Sequence, residues 1–210
     1  MKLSDFRNIP FNVSLLDSVF PANKALVAKA NRLEQSGDII RLKRGLYVVS
    51  PRISGKKISN FLLANHLYGP SYVSMQSALR FYGLIPERVY EITSMTTALS
   101  KSFTNKIAFF SYTHCPDEYF SLGVKSLKEN GIYYLIATPE KALCDLMIYT
   151  PGLNLRYLKE IGSYLEDDIR FDISELSNFN LDLLRDIRDK GMKKQMITQL
   201  IKFIEDERNV

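Results

Sequence analysis

His66, His114, Cys115 and Cys144 are the only histidines and cysteines in the 210 residues, so they are the whole stock of imidazole bases and thiol nucleophiles. A zinc site needs three or four such ligands. Only His114, Cys115 and Cys144 could be gathered for one, and no CxxC spacing holds them together. His114 beside Cys115 is adjacency along the chain, whereas a nucleophile–base pair needs a hydrogen bond built by the fold. Pro116-Asp117 could open a restriction-type nuclease motif, but no Glu-X-Lys follows to hold a metal and activate water. Glu140 and Lys141 are adjacent, so on a helix they point about 100° apart and cannot act as that pair. Neither GxxxxGK[ST] nor GxGxxG occurs, so nucleotide phosphates have no glycine cradle. The expectation is no catalytic residue, no metal and no cofactor.

Basic side chains are the remaining chemistry. The net charge is +5, and residues 1–57 hold eleven Lys and Arg against four Asp and Glu, a net +7; the rest of the chain is net −2. A compact segment with that excess attracts polyanions by releasing their counterions. Lys24, Asn31, Arg32 and Gln35 would read or approach bases, since Arg, Asn and Gln pair bidentately with base edges. Lys29, Arg41, Lys43 and Arg44 would hold phosphates.

The elements that must position these residues are short. Helical patterns run from about Lys2 to Arg7, from Val13 to Val19 and, after Phe20-Pro21-Ala22, from Asn23 to Gln35. Asn23 can cap the third, Leu26, Ala30 and Leu33 give it one apolar stripe, and Gly37 closes it. Its opposite face carries Lys24, Ala28, Asn31, Arg32 and Gln35, with Lys29 on the flank. Ile39 to Val49 then reads as a hairpin with a basic tip, Ile40 and Leu42 alternating with Arg41 and Lys43 before Gly45. Three helices and a hairpin are the order of a winged helix-turn-helix, whose third helix enters the major groove.

Residues 50–57, with Pro51, Ser54 and Gly55, read as a hinge between a domain of residues 1–50 and one of residues 58–210. The second domain opens with helices from Ser59 to Leu67 and from Ser74 or Met75 to Tyr82. Strand-like runs follow at 89–96, 103–104, 107–112, 121–127 and 132–137, and their short gaps favour antiparallel pairing. Thr138-Pro139-Glu140 opens a further helix with a cap, a proline where no N–H is needed and an acid at the positive dipole end. Amphipathic helices at 154–165, 181–189 and 193–207 complete an α+β chain: a winged helix-turn-helix, a mixed domain with an antiparallel sheet and flanking helices, and a helical C-terminus. No apolar run reaches the ~18 residues of a membrane helix, and Asp5 sits where a signal peptide would be apolar, so a cytoplasmic address is expected.

Arg41-Leu42-Lys43-Arg44-Gly45-Leu46-Tyr47-Val48-Val49 resembles the wing of the AbiEi antitoxins of bacterial abortive-infection type IV toxin–antitoxin systems. Three further segments resemble that family in its order: Tyr68 to Ser74; Ser77-Ala78-Leu79 with Tyr82 to Glu87; and Ala137 to Asp145. The resemblance spans about residues 13 to 150. It implies an N-terminal winged helix that binds repeats in its own promoter and represses transcription. It also implies a C-terminal domain that counteracts a nucleotidyltransferase-like toxin, in systems where antitoxin and toxin need not form a stable complex. Residues 8–20 are shorter than the family's pattern, which leaves Phe11 and Phe20 available to pack on the second domain.

The leading expectation is a DNA-binding antitoxin and autorepressor that is not an enzyme. Its partners are double-stranded promoter DNA and a toxin, with two copies on an inverted repeat as a dimer or by cooperative loading. The alternatives are a nucleic-acid-processing enzyme targeted by the winged helix, and a winged-helix module that docks protein.

Overall fold

The computed structural model describes residues 1–21, 25–86 and 90–208. A 3₁₀ turn, Leu3–Phe6, leads into strand β1 (Phe11–Asn12), a second 3₁₀ turn (Val13–Ser18), helix α1 (Leu26–Gln35) and the hairpin of β2 (Ile39–Lys43) and β3 (Leu46–Val49). The first two expected helices thus appear as 3₁₀ turns. Each contains one buried residue, Phe6 or Leu16, too little to hold a longer helix against the cost of nucleating it. Between them Phe11 and Asn12 extend and pair with Tyr47 and Leu46, giving a small antiparallel sheet in the order β1-β3-β2.

Helix α1 buries Ala30 and Leu33 and packs Leu26 against Phe6, Phe11, Leu16, Ile39, Tyr47 and Val49. Phe11 stacks on Phe6 at 4.5 Å, and Phe20 joins the same cluster, so neither ring packs on the larger core. The helix ends in paired bonds, Asp38 N–H to Leu33 O at 2.8 Å and Gly37 N–H to Glu34 O at 3.1 Å, with Gly37 at φ +73°. That closure needs a left-handed residue, which glycine supplies without strain. The expected cap, Asn23, lies outside the described residues.

The hairpin has two buried faces. Ile39, Tyr47 and Val49 belong to the N-terminal core, whereas Leu42, Leu46 and Val48 join a larger core with Leu63 and Leu67. Residues 50–57, expected as an irregular hinge, hold a one-turn helix, α2 (Pro51–Ser54), closed by Gly55. They are tied back by Ser50 N–H to Asp38 O, by the Arg52–Asp38 ion pair and by Asn8 Nδ2 to Lys57 O at 2.9 Å.

The larger core surrounds a six-stranded sheet. In chain order come α3 (Asn60–Leu67), β4 (Ser71–Val73), α4 (Met75–Phe81), β5 (Glu91–Thr96), β6 (Lys101–Thr104), β7 (Phe109–His114), α5 (Asp117–Phe120), β8 (Val124–Glu129), β9 (Ile132–Ala137) and α6 (Pro139–Tyr149). The strand order is β6-β7-β5-β4-β9-β8. The chain is therefore a mixed α/β fold, but this sheet is mixed and not antiparallel: β5 runs parallel to β7, and β4 parallel to β9. The four-residue link from β5 to β6 does not join neighbours. It passes the end of β7, where His114 N–H bonds Ser100 Oγ, and β7 then returns between the two.

Strand β4 is too short to match β9 along its length, and Asn65 of α3 completes the join: its amide accepts from Leu135 N–H at 2.6 Å and donates to Leu135 O and Ser71 O. Helix α6 is capped by Thr138 Oγ1, with Pro139 at its first turn as its sequence predicts. The C-terminal part is helical: α7 (Leu158–Ser163) runs on as a π-helical turn, Tyr164–Asp168, and after a 3₁₀ turn (Ile173–Asn178) come α8 (Leu181–Lys190) and α9 (Lys194–Glu207). Among the described residues no helix is long and apolar enough to cross a membrane.

Candidate nucleic-acid interface

The exposed face of α1 follows from its buried one. With Ala30 and Leu33 inward, the 3.6-residue period turns Ala28, Asn31, Arg32 and Gln35 to solvent, and all four are exposed. The side chains of Arg32 and Gln35, and that of Arg44 at the hairpin tip, have no hydrogen-bond or ion-pair partner among the described residues. Lys29, on the flank, is half-buried with its ammonium 4.2 Å from the Phe20 ring centroid. Lys24 lies outside the described residues.

Arg41 is engaged, not free for phosphate. One guanidinium nitrogen, Nη2, donates to Asn31 Oδ1 at 2.8 Å and lies 2.8 Å from Glu34 Oε2, and the group sits over the Tyr47 ring at 5.6 Å. Asn31, Glu34 and Arg41 thereby fasten α1 to β2. Glu34 was not among the residues expected here; its place one turn beyond Asn31, facing the basic strand, is the signal that could have found it.

Lys43 corrects the expected phosphate set more sharply. Simple alternation puts it on the Arg41 side of β2, but the register shifts between them, so that Arg41 pairs with Tyr47 and Lys43 with Leu46. That bulge turns Lys43 toward the larger core. Its ammonium donates to Leu67 O at 2.6 Å and lies 5.8 Å from the Phe103 ring. Of the basic hairpin residues, only Arg44 points freely outward.

A second polar cluster was not foreseen. Asp145 is fully buried, and its oxygens accept four bonds: Tyr119 OH at 2.6 Å and Lys141 Nζ at 3.2 Å on one, Ser74 Oγ at 2.6 Å and Tyr72 OH at 3.1 Å on the other. Lys141, also fully buried, donates to Tyr119 O at 3.0 Å and rests on the Tyr119 ring. Burial lowers the Lys141 pKa against the opposing pull of Asp145, and raises those of Tyr72 and Tyr119 well above the usual tyrosine value. Every charge and hydroxyl in this cluster is paired, and solvent reaches neither ion. It pins β4, α5 and α6 together and presents no reactive group to a substrate. Segments 68–74 and 137–145 meet here.

The two cysteines are buried, and burial pushes the Cys115 pKa up to about 12 and that of Cys144 higher still. Among the described residues no three His, Cys, Asp or Glu side chains converge on a point a metal could occupy. Neither a protein-family model nor a curated protein matches the chain.

Proposed function

We propose that this protein is a DNA-binding antitoxin of the AbiEi type that represses its own operon and counteracts a nucleotidyltransferase-like toxin. The observation that carries the DNA half is the face of α1. It holds base-pairing side chain types, Asn31, Arg32 and Gln35, exposed together on a helix whose other side is locked into a core. The order of turn, strand, turn, helix and hairpin, with β1 joined to β3, agrees with a winged helix-turn-helix in which α1 is the recognition helix. Arg32 and Gln35 approach bases, Lys29 and Arg44 approach phosphates, and the protein loads as two copies on an inverted repeat.

The antitoxin half rests on the resemblance in segments 68–74, 77–87 and 137–145. The buried Asp145 cluster supports a stable scaffold role for these segments, with the toxin-opposing surface elsewhere on the domain. The test is a pair of cell assays. The intact protein should lower expression from a reporter fused to its own upstream DNA, and should restore growth to cells expressing the neighbouring toxin gene. Arg32→Ala should lose repression and keep growth rescue. Loss of neither activity, or repression of a scrambled promoter, contradicts the reading.

A further inference from the structure

We infer that Arg41, neutralised by Glu34, fixes the Asn31 amide with its NH₂ group outward, which makes Asn31 a reader of guanine. The inference rests on the DNA-binding reading above and names the base chemistry of that surface.

A guanidinium has only donors, so the Asn31 atom that meets Arg41 Nη2 at 2.8 Å is the amide oxygen. The amide nitrogen then points away from β2, on an exposed residue, with no partner among the described residues. An unconstrained asparagine on a recognition helix suits adenine, accepting from N6 and donating to N7. Here the accepting atom is turned inward and occupied. What faces outward is a donor pair, and the edge that offers two acceptors is guanine, at O6 and N7.

Arg41 is itself held from two sides. Glu34, with only 21% of its side chain exposed, binds the same nitrogen of Arg41, and Tyr47 lies beneath the guanidinium. Glu34 also cancels the charge that would otherwise draw Arg41 to a phosphate. Arg41 is therefore a positioning residue, and Glu34 keeps it in that role.

The test measures binding of the full-length protein to its promoter duplex and to duplexes in which each G·C pair is changed in turn to A·T. Wild type should show a guanine at which the change weakens binding by at least about fivefold. Replacing that guanine with 7-deazaguanine should weaken binding too. Asn31→Ala and Arg41→Met should both lose the preference at that one position and keep it at the others. Arg41→Lys, which retains the charge without the fork and guards against a folding defect, should regain part of it. Glu34→Gln should bind every duplex more tightly, with a salt slope steeper by about one. The inference is overturned if Arg41→Met keeps the preference that Asn31→Ala loses. It is equally overturned if Arg41→Met weakens all sequences alike with a slope shallower by about one, the behaviour of a phosphate contact. Sequence-selective binding with no guanine sensitive to Asn31 overturns this inference alone. Absence of selective DNA binding by wild type overturns the proposed function with it.

Discussion

The ammonium of Lys43 donates to the carbonyl oxygen of Leu67 at 2.6 Å, which ties the tip of the β2–β3 hairpin to the end of α3. Asn105 Nδ2 adds a bond to Leu42 O from the β6–β7 turn. A hairpin tip anchored at two points cannot swing independently as a wing. Lys43→Met should therefore cost about 1–2 kcal/mol, the lower end for a bond from a charged group at a half-buried site, and leave the salt dependence of DNA binding unchanged. Arg44→Ala should do the reverse, flattening the salt slope by about one with little change in Tm. Urea unfolding and salt-dependent titrations of both variants distinguish the two roles.

Leu42, Leu46 and Val48 also belong to the larger core, so the prediction is that the two parts of the chain unfold together. A chain lacking residues 1–50 should expose Leu63 and Leu67 and lose a cooperative unfolding transition. In the intact protein, Leu42→Ala should cost about 2–5 kcal/mol, and near- and far-UV signals should still unfold together. Two separated transitions would show that the halves fold independently.

Removing one member of the buried ion pair should be costly. Asp145→Ala leaves the buried Lys141 ammonium without its counter-ion and the Tyr72, Ser74 and Tyr119 hydroxyls without their acceptor, and should destabilise by about 3–5 kcal/mol. A double replacement, Lys141→Met with Asp145→Leu, should recover part of that loss. If Asp145→Ala unfolds in urea like wild type, the cluster does not hold β4, α5 and α6 together.

Alkaline pH should weaken the fold through the same region. Cys115 titrates near 9 when unfolded and at about 12 when folded, so the native state keeps a proton that the unfolded chain releases. Its contribution to stability is complete below pH 9 and is lost as pH rises toward 12. Tyr72 and Tyr119 shift in the same direction, with the loss beginning near pH 10. Ellman's reagent at pH 8 should find no reactive thiol in the native protein and both in urea, and urea midpoints should fall from pH 9 upward.

Much of this was legible locally. Thr138-Pro139-Glu140 opens α6, a helix runs up to Leu67, Ile132–Ala137 is a strand, and the apolar stripe of α1 puts Ala28, Asn31, Arg32 and Gln35 on its exposed face. Each of those depends on residues within about one turn or one strand. What failed depends on distant partners. Strand β4 is three residues buried on both faces, so it shows no alternation, and β1 is two residues that extend only because β3 is beside them. Parallel pairing of β5 with β7 was hidden because a short link was read as joining neighbours. Lys43 was misplaced by a bulge that alternation does not reveal. Lys141 and Asp145 stand four residues apart on α6, the spacing of a helical ion pair, but their burial depends on Tyr72, Ser74 and Tyr119, which come from distant segments.

The most direct measurement titrates the full-length protein and its Arg32→Ala variant with the protein's own upstream duplex and a scrambled one, at two salt concentrations. Wild type should prefer its promoter and weaken as salt rises. Arg32→Ala should lose about 1–3 kcal/mol on the promoter and little on the scrambled duplex. Equal binding of both duplexes by wild type, or an Arg32→Ala variant that discriminates as well as wild type, would contradict the assignment of α1 as the reading helix.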